Sequence, residues 1–300
     1  MSTGPHDKAS SAEFRTDQRT VDDRRVNLVT VITPCLNAHH LIARTVASVV
    51  NQTAVQSGRV RLQYLVMDGA STDGTLDAIQ AVGHGVPIVV SQPDNGMYAA
   101  LADGLAAADG DVISYLNAGD FYSPWALDVV IDVLEKHDLQ WLTGLAVSYN
   151  ARGQLTRARV PIRYRRRFVR KGAYGSRLLP WFLQQESTFW RRSLMDRVDL
   201  SYLRSFRLAG DSYLWKCLGQ VAEPAVVESY LGGFSHHDGQ LSSDMNAYRR
   251  EQASIQSRLN LADLAIGTFD RLEQYAPPRI RKILNPSGFL RYSYTSGCWG

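Results

Sequence analysis

From residue 27 to about residue 135, short apolar runs alternate with stretches in which apolar residues recur at helical spacing. The runs predict a strand at residues 28–33, a second strand that ends at Asp68, and further strands at 86–90 and 111–116. The spaced stretches predict helices at residues 39–51, after Asp73, at 96–108 and from Ser123 onward. This alternation predicts an α/β fold, in which a mostly parallel central sheet is flanked by helices.

Individual residues mark where these elements are expected to begin and end. Pro34 has no backbone N–H for a sheet, so the first strand is expected to end before it. Thr72 or Asp73 is expected to cap the helix after the second strand. Ser123 is expected to cap a later helix, with Pro124 at its first position.

The second half of the chain has a different pattern. It predicts strands at residues 139–147 and 154–160, joined by a turn at 150–153, and a further strand at 226–231. A helical pattern runs from residue 243 to 264. We expect four regions: a disordered leader at 1–25, a first half at 26–138, a second half at 139–237 and a helical C-terminal extension at 238–300.

Charge and cysteine content restrict the cellular setting. Residues 157–171 contain eight basic residues and no acid. Such a stretch is typical of a solvated face, of contact with an anionic membrane surface or of contact with phosphate groups. We expect no nucleic-acid partner, because no binding signature accompanies the charge. Three dispersed cysteines and the lack of a long apolar run predict a cytoplasmic protein, either free or bound at the membrane periphery.

Two predicted strands are each followed closely by an aspartate that is adjacent to a glycine. Asp68 precedes Gly69, and Asp120 follows Gly119 shortly after the strand that ends near Leu116. Ligands of open α/β sheets bind at the carboxyl ends of the strands. The two carboxylates therefore predict a pocket for a nucleotide or a nucleotide sugar.

Seven short motifs support this interpretation. They are VITPCLN at 31–37, LVMDGASTDGT at 65–75, QPDNGMY at 92–98, YLNAGD at 115–120, QESTFWRR at 185–192, LAGDSYLW at 208–215 and LGGFS at 231–235. In this order and spacing the chain resembles the family 2 glycosyltransferases. The resemblance implies the GT-A fold, with residues 26–138 as the nucleotide-sugar half and 139–237 as the acceptor-binding and catalytic half.

The resemblance also implies an activity. Similar proteins transfer a sugar, with inversion, from a nucleotide diphosphate to a hydroxyl acceptor in polysaccharide, glycolipid or cell-envelope glycan synthesis. A UDP-sugar is the first expectation for the donor, and a glycan or lipid-linked molecule for the acceptor. The implied nucleotide-binding residues are Pro34, Asn37, Asp68 and Asn117. The implied sugar and diphosphate residues are Asp94, Gly96 and Asp120.

Asp120 corresponds to the last acid of the family's metal motif, which implies a Mg²⁺ or Mn²⁺ cofactor held by hard oxygen ligands. Gly119 stands where a second acid is expected. His236 or His237 could supply the missing ligand, and we take His236 as the candidate.

Asp211 corresponds to the family's catalytic base, which takes the proton of the acceptor hydroxyl. An N-terminal aspartate can also simply cap its helix. Gly210 stands where relatives often carry another acid. On the acceptor side the candidates are Glu186, Trp190 and Arg191, although the tryptophan is at least as typical of a core aromatic residue.

Two alternatives remain open. A catalytically degenerate homologue, which binds a sugar nucleotide or a partner without turnover, is favoured by Gly119 and by Ala99 and Ala102, where relatives are polar. A sugar-1-phosphate nucleotidyltransferase is the second alternative. That class needs a glycine-rich, basic phosphate loop after the first strand, and Pro34 to Asn37 offers neither property.

Overall fold

The computed structural model of the chain describes residues 24–237, 240, 244–273, 275–277 and 289–300. The predicted leader, except for its last two residues, lies outside this range. The strands within it are β1 Leu28–Cys35, β2 Arg61–Asp68, β3 Pro87–Ser91, β4 Val112–Tyr115, β5 Phe121–Tyr122, β6 Trp141–Thr143, β7 Ala146–Tyr149, β8 Leu155–Arg159, β9 Thr188–Arg191, β10 Ala225–Val227, β11 Gly232–Ser235, β12 Phe289–Leu290, β13 Tyr292–Ser293 and β14 Cys298–Trp299.

The helices connect these strands and cover the sheets. They are α1 His39–Val50, α2 Thr53–Gln56, α3 Thr75–Gly83, α4 Met97–Ala106, α5 Ala126–Lys136, α6 Arg166–Val169, α7 Leu200–Leu203, α8 Gly210–Leu218, α9 Met245–Ile255 and α10 Leu261–Glu273. Short 3-10 helices occupy Gln185–Ser187 and Arg192–Arg197. In the described residues, no helix is long and apolar enough to cross a bilayer.

Eight strands form the central sheet in the order β12-β10-β6-β9-β4-β1-β2-β3. Its neighbours are parallel except around β9, which runs antiparallel to both β4 and β6. A second sheet has the order β5-β11-β7-β8. The predicted mostly parallel α/β architecture is confirmed. The C-terminal extension holds α9 and α10, as expected, but it also adds β12 to the central sheet.

The core lies on both faces of the central sheet. Along β1, Val29 and Val31 belong to a cluster with α1 and α5, whereas Ile32 belongs to a cluster with α4 and α8. Burial on both faces explains why the parallel strands read as continuous apolar runs in the sequence.

The expected end of β1 at Pro34 is wrong, because the strand continues to Cys35. Pairing with β4 stops at Ile32, whose carbonyl accepts from Leu116 N at 2.8 Å. Carbonyls at alternate positions point to opposite neighbours, and Cys35 O accepts from Gly69 N on the β2 side. The nitrogen of Pro34 therefore points past the end of β4, where no ladder hydrogen bond is lost.

The expected cap of α5 by Ser123 is also wrong, because the helix begins three residues later at Ala126. Ser123 N donates instead to Leu231 O at 2.8 Å. Gln52 takes over the capping function: its side-chain oxygen accepts from Leu127 N at 3.0 Å, and its side-chain nitrogen donates to Ser123 O at 2.7 Å. A residue distant in sequence thus satisfies the first turn of the helix.

Two elements predicted as continuous are divided in the structure. The strand expected at 139–147 is broken at Gly144, whose N–H bonds to Ser187 O, so that β6 joins the central sheet and β7 the second sheet. The helix expected at 243–264 is two helices. Asn260 and Asp263 exchange side-chain-to-backbone hydrogen bonds of 2.9 Å at the start of α10, which is the reciprocal pattern of a helix start.

Candidate functional site

Asp68 lies at the end of β2 and is almost fully buried. Its Oδ2 accepts from Ser71 N at 3.0 Å and from Ser91 Oγ at 2.6 Å, and its Oδ1 accepts from Ser71 Oγ at 2.5 Å. Burial alone would raise the pKa of Asp68, but these hydrogen bonds outweigh it and hold the pKa below its usual value. The site therefore presents a fixed, ionised carboxylate.

Two of the other predicted nucleotide-side residues, Pro34 and Asn37, lie next to the strand end that carries this carboxylate. Pro34 directly precedes Cys35, which is in register with Asp68. Asn37 has a positive φ of 48°, and its Oδ1 accepts from Thr72 N at 3.0 Å. Residues from two distant motifs thus meet at the carboxyl ends of the neighbouring strands β1 and β2.

Asp94 and Gly96 follow β3 on the same edge of the sheet. Asp94 Oδ1 accepts from Gly96 N at 2.8 Å, which closes a tight turn just before α4. Its Oδ2 lies 2.9 Å from the position that a Cβ at Gly69 would occupy. Asp94 is therefore placed directly beside the Asp68–Gly69 strand end.

The loop after β4 carries Asn117, Gly119 and Asp120. Thr45 Oγ1 fixes the loop, since it accepts from Gly119 N and donates to Asp120 O, both at 2.8 Å. Gly119 has a φ of 105°, and a Cβ there would lie 3.4 Å from the ring of His237. The backbone conformation favours glycine, which accounts for the missing acid at this position.

Asp120 and Glu186 form a buried pair of carboxyl groups, with 3% and 2% of their surfaces exposed. Asp120 Oδ1 accepts from Ser235 N at 2.8 Å, whereas Glu186 Oε1 has no hydrogen-bond partner among the described residues. Burial is the main cause that raises the pKa of both groups, and the charge of Asp120 further raises the pKa of Glu186. Two carboxyl groups in this position would be stabilised as anions by a nearby cation.

The side chains around Asp120 offer the oxygen atoms that such a cation needs as ligands. Asn117 Oδ1 is another buried oxygen that lacks a hydrogen-bond partner in the described part of the chain. Oxygen donors of this kind suit Mg²⁺ or Mn²⁺. Across the described residues, however, no three His, Cys, Asp or Glu side chains are grouped closely enough to hold a metal by themselves. Further ligands would have to come from a bound molecule.

The structure changes the histidine candidate. His236 is exposed, and its ring packs edge-on against Phe234 with centroids 4.8 Å apart. His237 is the residue whose ring faces the Gly119 position next to Asp120. By position His237 is the better placed of the two histidines, and a metal-binding role of His236 stays a prediction.

Asp211 lies in the first turn of α8, as expected. Its Oδ1 accepts from Ser212 N at 2.7 Å, Tyr248 OH at 2.9 Å and Tyr98 OH at 3.5 Å. Burial raises the pKa of Asp211 to about 6, and the hydrogen bonds limit that rise. All three bonds from the described residues reach Oδ1, so Oδ2 is the oxygen available to accept a proton.

Tyr98 joins the two halves of the site. It is the second residue of α4, just after the Asp94–Gly96 turn, and its single hydroxyl hydrogen is shared between Leu208 O at 3.0 Å and, more weakly, Asp211 Oδ1 at 3.5 Å. A Cβ at Gly210 would lie only 2.5 Å from the Tyr98 ring. The ring therefore occupies the space of any side chain at position 210, which explains the glycine where relatives often carry an acid.

Helix α9 supports Asp211 from the C-terminal extension. Besides Tyr248, it contributes Glu251, whose Oε1 accepts from Arg207 N at 2.8 Å and whose Oε2 accepts from Leu208 N and Ala209 N at 2.7 and 2.6 Å. Three consecutive N–H groups before α8 are thus held by one carboxylate. Sequence reasoning missed Tyr248 and Glu251, because they lie outside the seven motifs and no local pattern marks them.

Two acceptor-side candidates are wrong. Trp190 is fully buried, donates to Met195 Sδ at 3.2 Å and packs edge-on against Trp215 in the core. Arg191 is in register with Val112, at the start of β4 and thus at the opposite edge from Asp120. Its guanidinium donates to Leu134 O at 2.9 Å. Both side chains stabilise the fold, and of the three candidates Glu186 alone lies at the site.

The alanines of α4 are also part of the core. Ala99 and Ala102 are buried, and Ala102 has no exposed surface. Asp103, the next polar position, forms an ion pair with Arg204. In this structure the missing polar side chains at 99 and 102 are accounted for by packing of the helix.

The basic stretch at 157–171 is largely engaged within the protein. Four of its eight basic residues form ion pairs, Arg163 with Glu223, Arg165 with Asp270, and both Arg167 and Lys171 with Asp263. Two of the acids belong to α10. These ion pairs attach the C-terminal extension to the rest of the chain.

Comparison with known proteins agrees with the motifs and with the fold. An uncharacterized glycosyltransferase of Mycobacterium tuberculosis (strain H37Rv) is 29% identical over 210 residues, which cover 69% of this chain and 74% of that protein. The crystal structure of S. aureus TarS 1-349 in complex with UDP-GlcNAc superimposes with a TM-score of 0.58 at 14% identity, covering 84% of this chain and 77% of that one.

A third comparison is the mannosyltransferase PcManGT from Pyrobaculum calidifontis in complex with GDP-Man and Mn²⁺. It superimposes with a TM-score of 0.50 at 16% identity and covers 87% of this chain and 79% of that one. At these identities the two structures show the fold, which is that of GT-A glycosyltransferases. The sequence model described as Glycosyl transferase family 2 matches residues 30–196, more than half of the chain. The chain therefore belongs to glycosyltransferase family 2.

Proposed function

We propose that the protein transfers a sugar, with inversion, from a nucleotide-diphosphate donor to a hydroxyl acceptor, and that Asp211 is the catalytic base. The observation that carries the proposal is the state of this carboxylate. It is half-buried, its pKa is raised to about 6, and its Oδ1 accepts from Ser212 N and Tyr248 OH, with a longer contact to Tyr98 OH, while Oδ2 stays available. A group with this pKa is ionised near neutral pH and can still take a proton in the transition state.

In this scheme each part of the chain has a separate task. Asp211 Oδ2 accepts the proton of the acceptor hydroxyl as its oxygen attacks the anomeric carbon from the side opposite the leaving diphosphate. Tyr98 and Tyr248 keep the carboxylate oriented through Oδ1. Because Tyr98 begins the helix that follows the Asp94–Gly96 turn, the base is positioned relative to the donor side of the site.

The donor nucleoside is placed at the ends of β1, β2 and β4. The ionised carboxylate of Asp68 can accept hydrogen bonds from the ribose or base, and Pro34, Asn37 and Asn117 border the same edge. Asp94 and Gly96 are positioned for the sugar and diphosphate. This assignment rests on the geometry of the strand ends and on the motif positions in the family.

Asp120, with His237 or Glu186 as the adjacent protein group, would hold a Mg²⁺ or Mn²⁺ ion if the donor supplies the remaining ligands. Such an ion supplies charge neutralisation of the leaving diphosphate. The support is the buried Asp120–Glu186 carboxyl pair, which lacks a cationic partner among the described residues. It agrees with the Mn²⁺ named for the mannosyltransferase PcManGT.

A UDP-sugar is our first proposal for the donor, supported by the UDP-GlcNAc in the structure of TarS. A glycan or lipid-linked acceptor and a cytoplasmic location, at the membrane periphery, complete the proposal. The surface that would contact the membrane differs from the stretch at 157–171, where half of the basic residues are ion-paired internally.

A donor screen tests the function. Thermal unfolding is measured with UDP-, GDP- and dTDP-sugars, with and without Mn²⁺, and label transfer or donor hydrolysis is followed with the donors that stabilise the protein. We expect Mn²⁺-dependent stabilisation by one nucleotide class, together with turnover of the bound donor. Asp120→Ala should remove the Mn²⁺ dependence, whereas Asp128→Ala, a control aspartate on α5, should not.

Two results would contradict the proposal. Tight donor binding with no transfer and no hydrolysis would support the catalytically degenerate homologue. Formation of pyrophosphate from a sugar-1-phosphate and a nucleoside triphosphate would be nucleotidyl transfer, and it would support the nucleotidyltransferase.

A further inference from the structure

Helix α10 has its polar and apolar faces reversed relative to an ordinary surface helix. Its buried positions are Asp263, Gly267 and Asp270. Its exposed positions are largely apolar: Leu261 is 84% exposed and Leu272 is 65% exposed, and Leu264 and Phe269 are also exposed. A surface helix of a soluble domain normally turns its apolar stripe to the core and its charges to water.

Ion pairs explain why the helix is held in this orientation. Asp263 Oδ1 accepts from Arg167 Nη2 at 2.7 Å, and its Oδ2 accepts from Lys171 Nζ at 2.5 Å. Asp270 accepts from Arg165 Nε with both oxygens, at 2.9 and 2.8 Å. Because the acids of α10 are committed to the protein body, the opposite, apolar face must point outward.

Three exposed arginines, Arg177, Arg258 and Arg271, which we call the cationic border, lie on α10 or next to it. Arg271 lies on α10 itself, and its guanidinium donates to the carbonyl of Arg177 at 3.4 Å. Arg177 and Arg258 are also exposed. The two aspartates of the helix are buried, and Glu273 is half-buried. The face therefore combines an apolar stripe with a cationic border.

We propose that α10, through Leu261, Leu264, Phe269 and Leu272, docks flat on an anionic phospholipid surface. An apolar face inserts at the boundary of headgroups and acyl chains, and basic side chains beside it attract acidic lipids. Symmetric pairing with a second copy fits less well, because it would bring the same cationic border against itself. The proposal is independent of the chemistry assigned to Asp211.

This surface gives the basic stretch at 157–171 a different role from direct membrane contact. Arg165, Arg167 and Lys171 hold α10 in the orientation that exposes its leucines. The membrane-facing residues are then apolar ones about a hundred positions later in the chain.

Vesicle co-sedimentation of the full chain tests the proposal. Mixed phosphatidylcholine and phosphatidylglycerol vesicles are compared with pure phosphatidylcholine vesicles. The double variant Leu261→Gln, Leu272→Gln removes the two most exposed leucines of the helix. Leu155→Gln is the matched control, because Leu155 is 57% exposed on the edge strand β8 of the second sheet.

We expect the wild type to bind the anionic vesicles and the double variant to bind them at least about tenfold more weakly. The control should bind like the wild type, and all three should unfold at similar temperatures because the replaced side chains are exposed. Equal vesicle binding by the double variant, or no wild-type binding to either vesicle, would overturn the proposal. So would a wild-type dimer that the double variant dissociates while neither protein binds vesicles.

A charge substitution tests the cationic border separately. Arg258→Glu should weaken binding to the anionic vesicles several-fold at low salt, with a smaller effect at high salt. The control Arg152→Glu changes an exposed arginine in the β7–β8 turn and should have no such effect. Binding that is insensitive to both salt and Arg258→Glu would contradict the electrostatic part of the proposal.

Discussion

Replacing Tyr248 with phenylalanine removes one hydroxyl from the proposed catalytic base and changes little else. The hydroxyl donates to Asp211 Oδ1 at 2.9 Å, while the Tyr248 ring packs edge-on against Phe182. Phenylalanine keeps this ring contact. In the variant, Oδ1 retains the bonds from Ser212 N and Tyr98 OH.

The size of the effect follows from the hydrogen bond that is lost. A hydrogen bond to a charged group contributes about 1.5–3 kcal/mol, and about 1.4 kcal/mol corresponds to one pKa unit. The pKa of Asp211, which is about 6 in the wild type, should therefore rise by about one to two units. The ionised base is present above this pKa and is lost as the pH falls, so the acid limb of the profile should move upward.

The assay is the pH dependence of kcat/KM for sugar transfer, which reports the pKa of the base in the free enzyme. Near pH 6 the variant should be at least about fivefold slower than the wild type, with little difference at alkaline pH. Tyr213→Phe is the control, because that hydroxyl lies on the same helix but accepts from Asp199 N instead. An unchanged acid limb in a folded Tyr248→Phe protein would refute the reasoning.

Further substitutions test other contacts. Gly210→Ala should lower the free energy of unfolding by about 1–3 kcal/mol and reduce kcat, because its Cβ would lie 2.5 Å from the Tyr98 ring; unchanged thermal stability and kcat would show that the ring moves freely. Asp68→Asn should weaken nucleotide binding about tenfold in calorimetry with a small effect on kcat, and equal affinity would remove Asp68 from the nucleoside site. Asp263→Asn should lower the free energy of unfolding, measured by chemical denaturation at neutral pH, by about 1–3 kcal/mol. Hydrogen bonds to buried Asp263 outweigh its burial and hold its pKa below the unfolded value. The stabilisation by the Asp263 ion pairs is therefore present above about pH 4 and lost at lower pH. If the stability of the variant fell with decreasing pH as that of the wild type does, the role of the Asp263 ion pairs would be contradicted.

Much of the fold follows from local sequence patterns. The strands β1 and β4 and the second half of β2 are buried on both faces, so their apolar runs identify them without knowledge of the tertiary structure. Asp68 and Asp120 lie near strand ends, and parallel strands bring their carboxyl ends to one edge. Their joint location could therefore be predicted.

Other features depend on contacts between distant residues and leave no local signal. Gln52 caps a helix that begins more than seventy positions later, and the start of that helix was predicted too early for this reason. Of the two adjacent histidines, His237 is the one whose ring faces Gly119, and nothing in the local sequence distinguishes it from His236. Trp190 sits in a site motif but fills the core.

The support of Asp211 by α9 also depends on contacts between residues that are distant in sequence. Tyr248 is 37 positions from Asp211 in the sequence, and no motif connects them. The hydrogen bond exists because the C-terminal extension folds back onto α8. Residues that tune a catalytic group through tertiary packing become visible in the structure alone.

The central claim is that Asp211 acts as the base of a sugar transfer. The most direct measurement compares Asp211→Asn with the wild type in transfer of a labelled sugar and in calorimetric donor binding. The account predicts that transfer is lost, while donor affinity in the presence of Mn²⁺ stays close to that of the wild type, because the proton is accepted as the transition state forms. Wild-type turnover by the folded Asp211→Asn protein would contradict it.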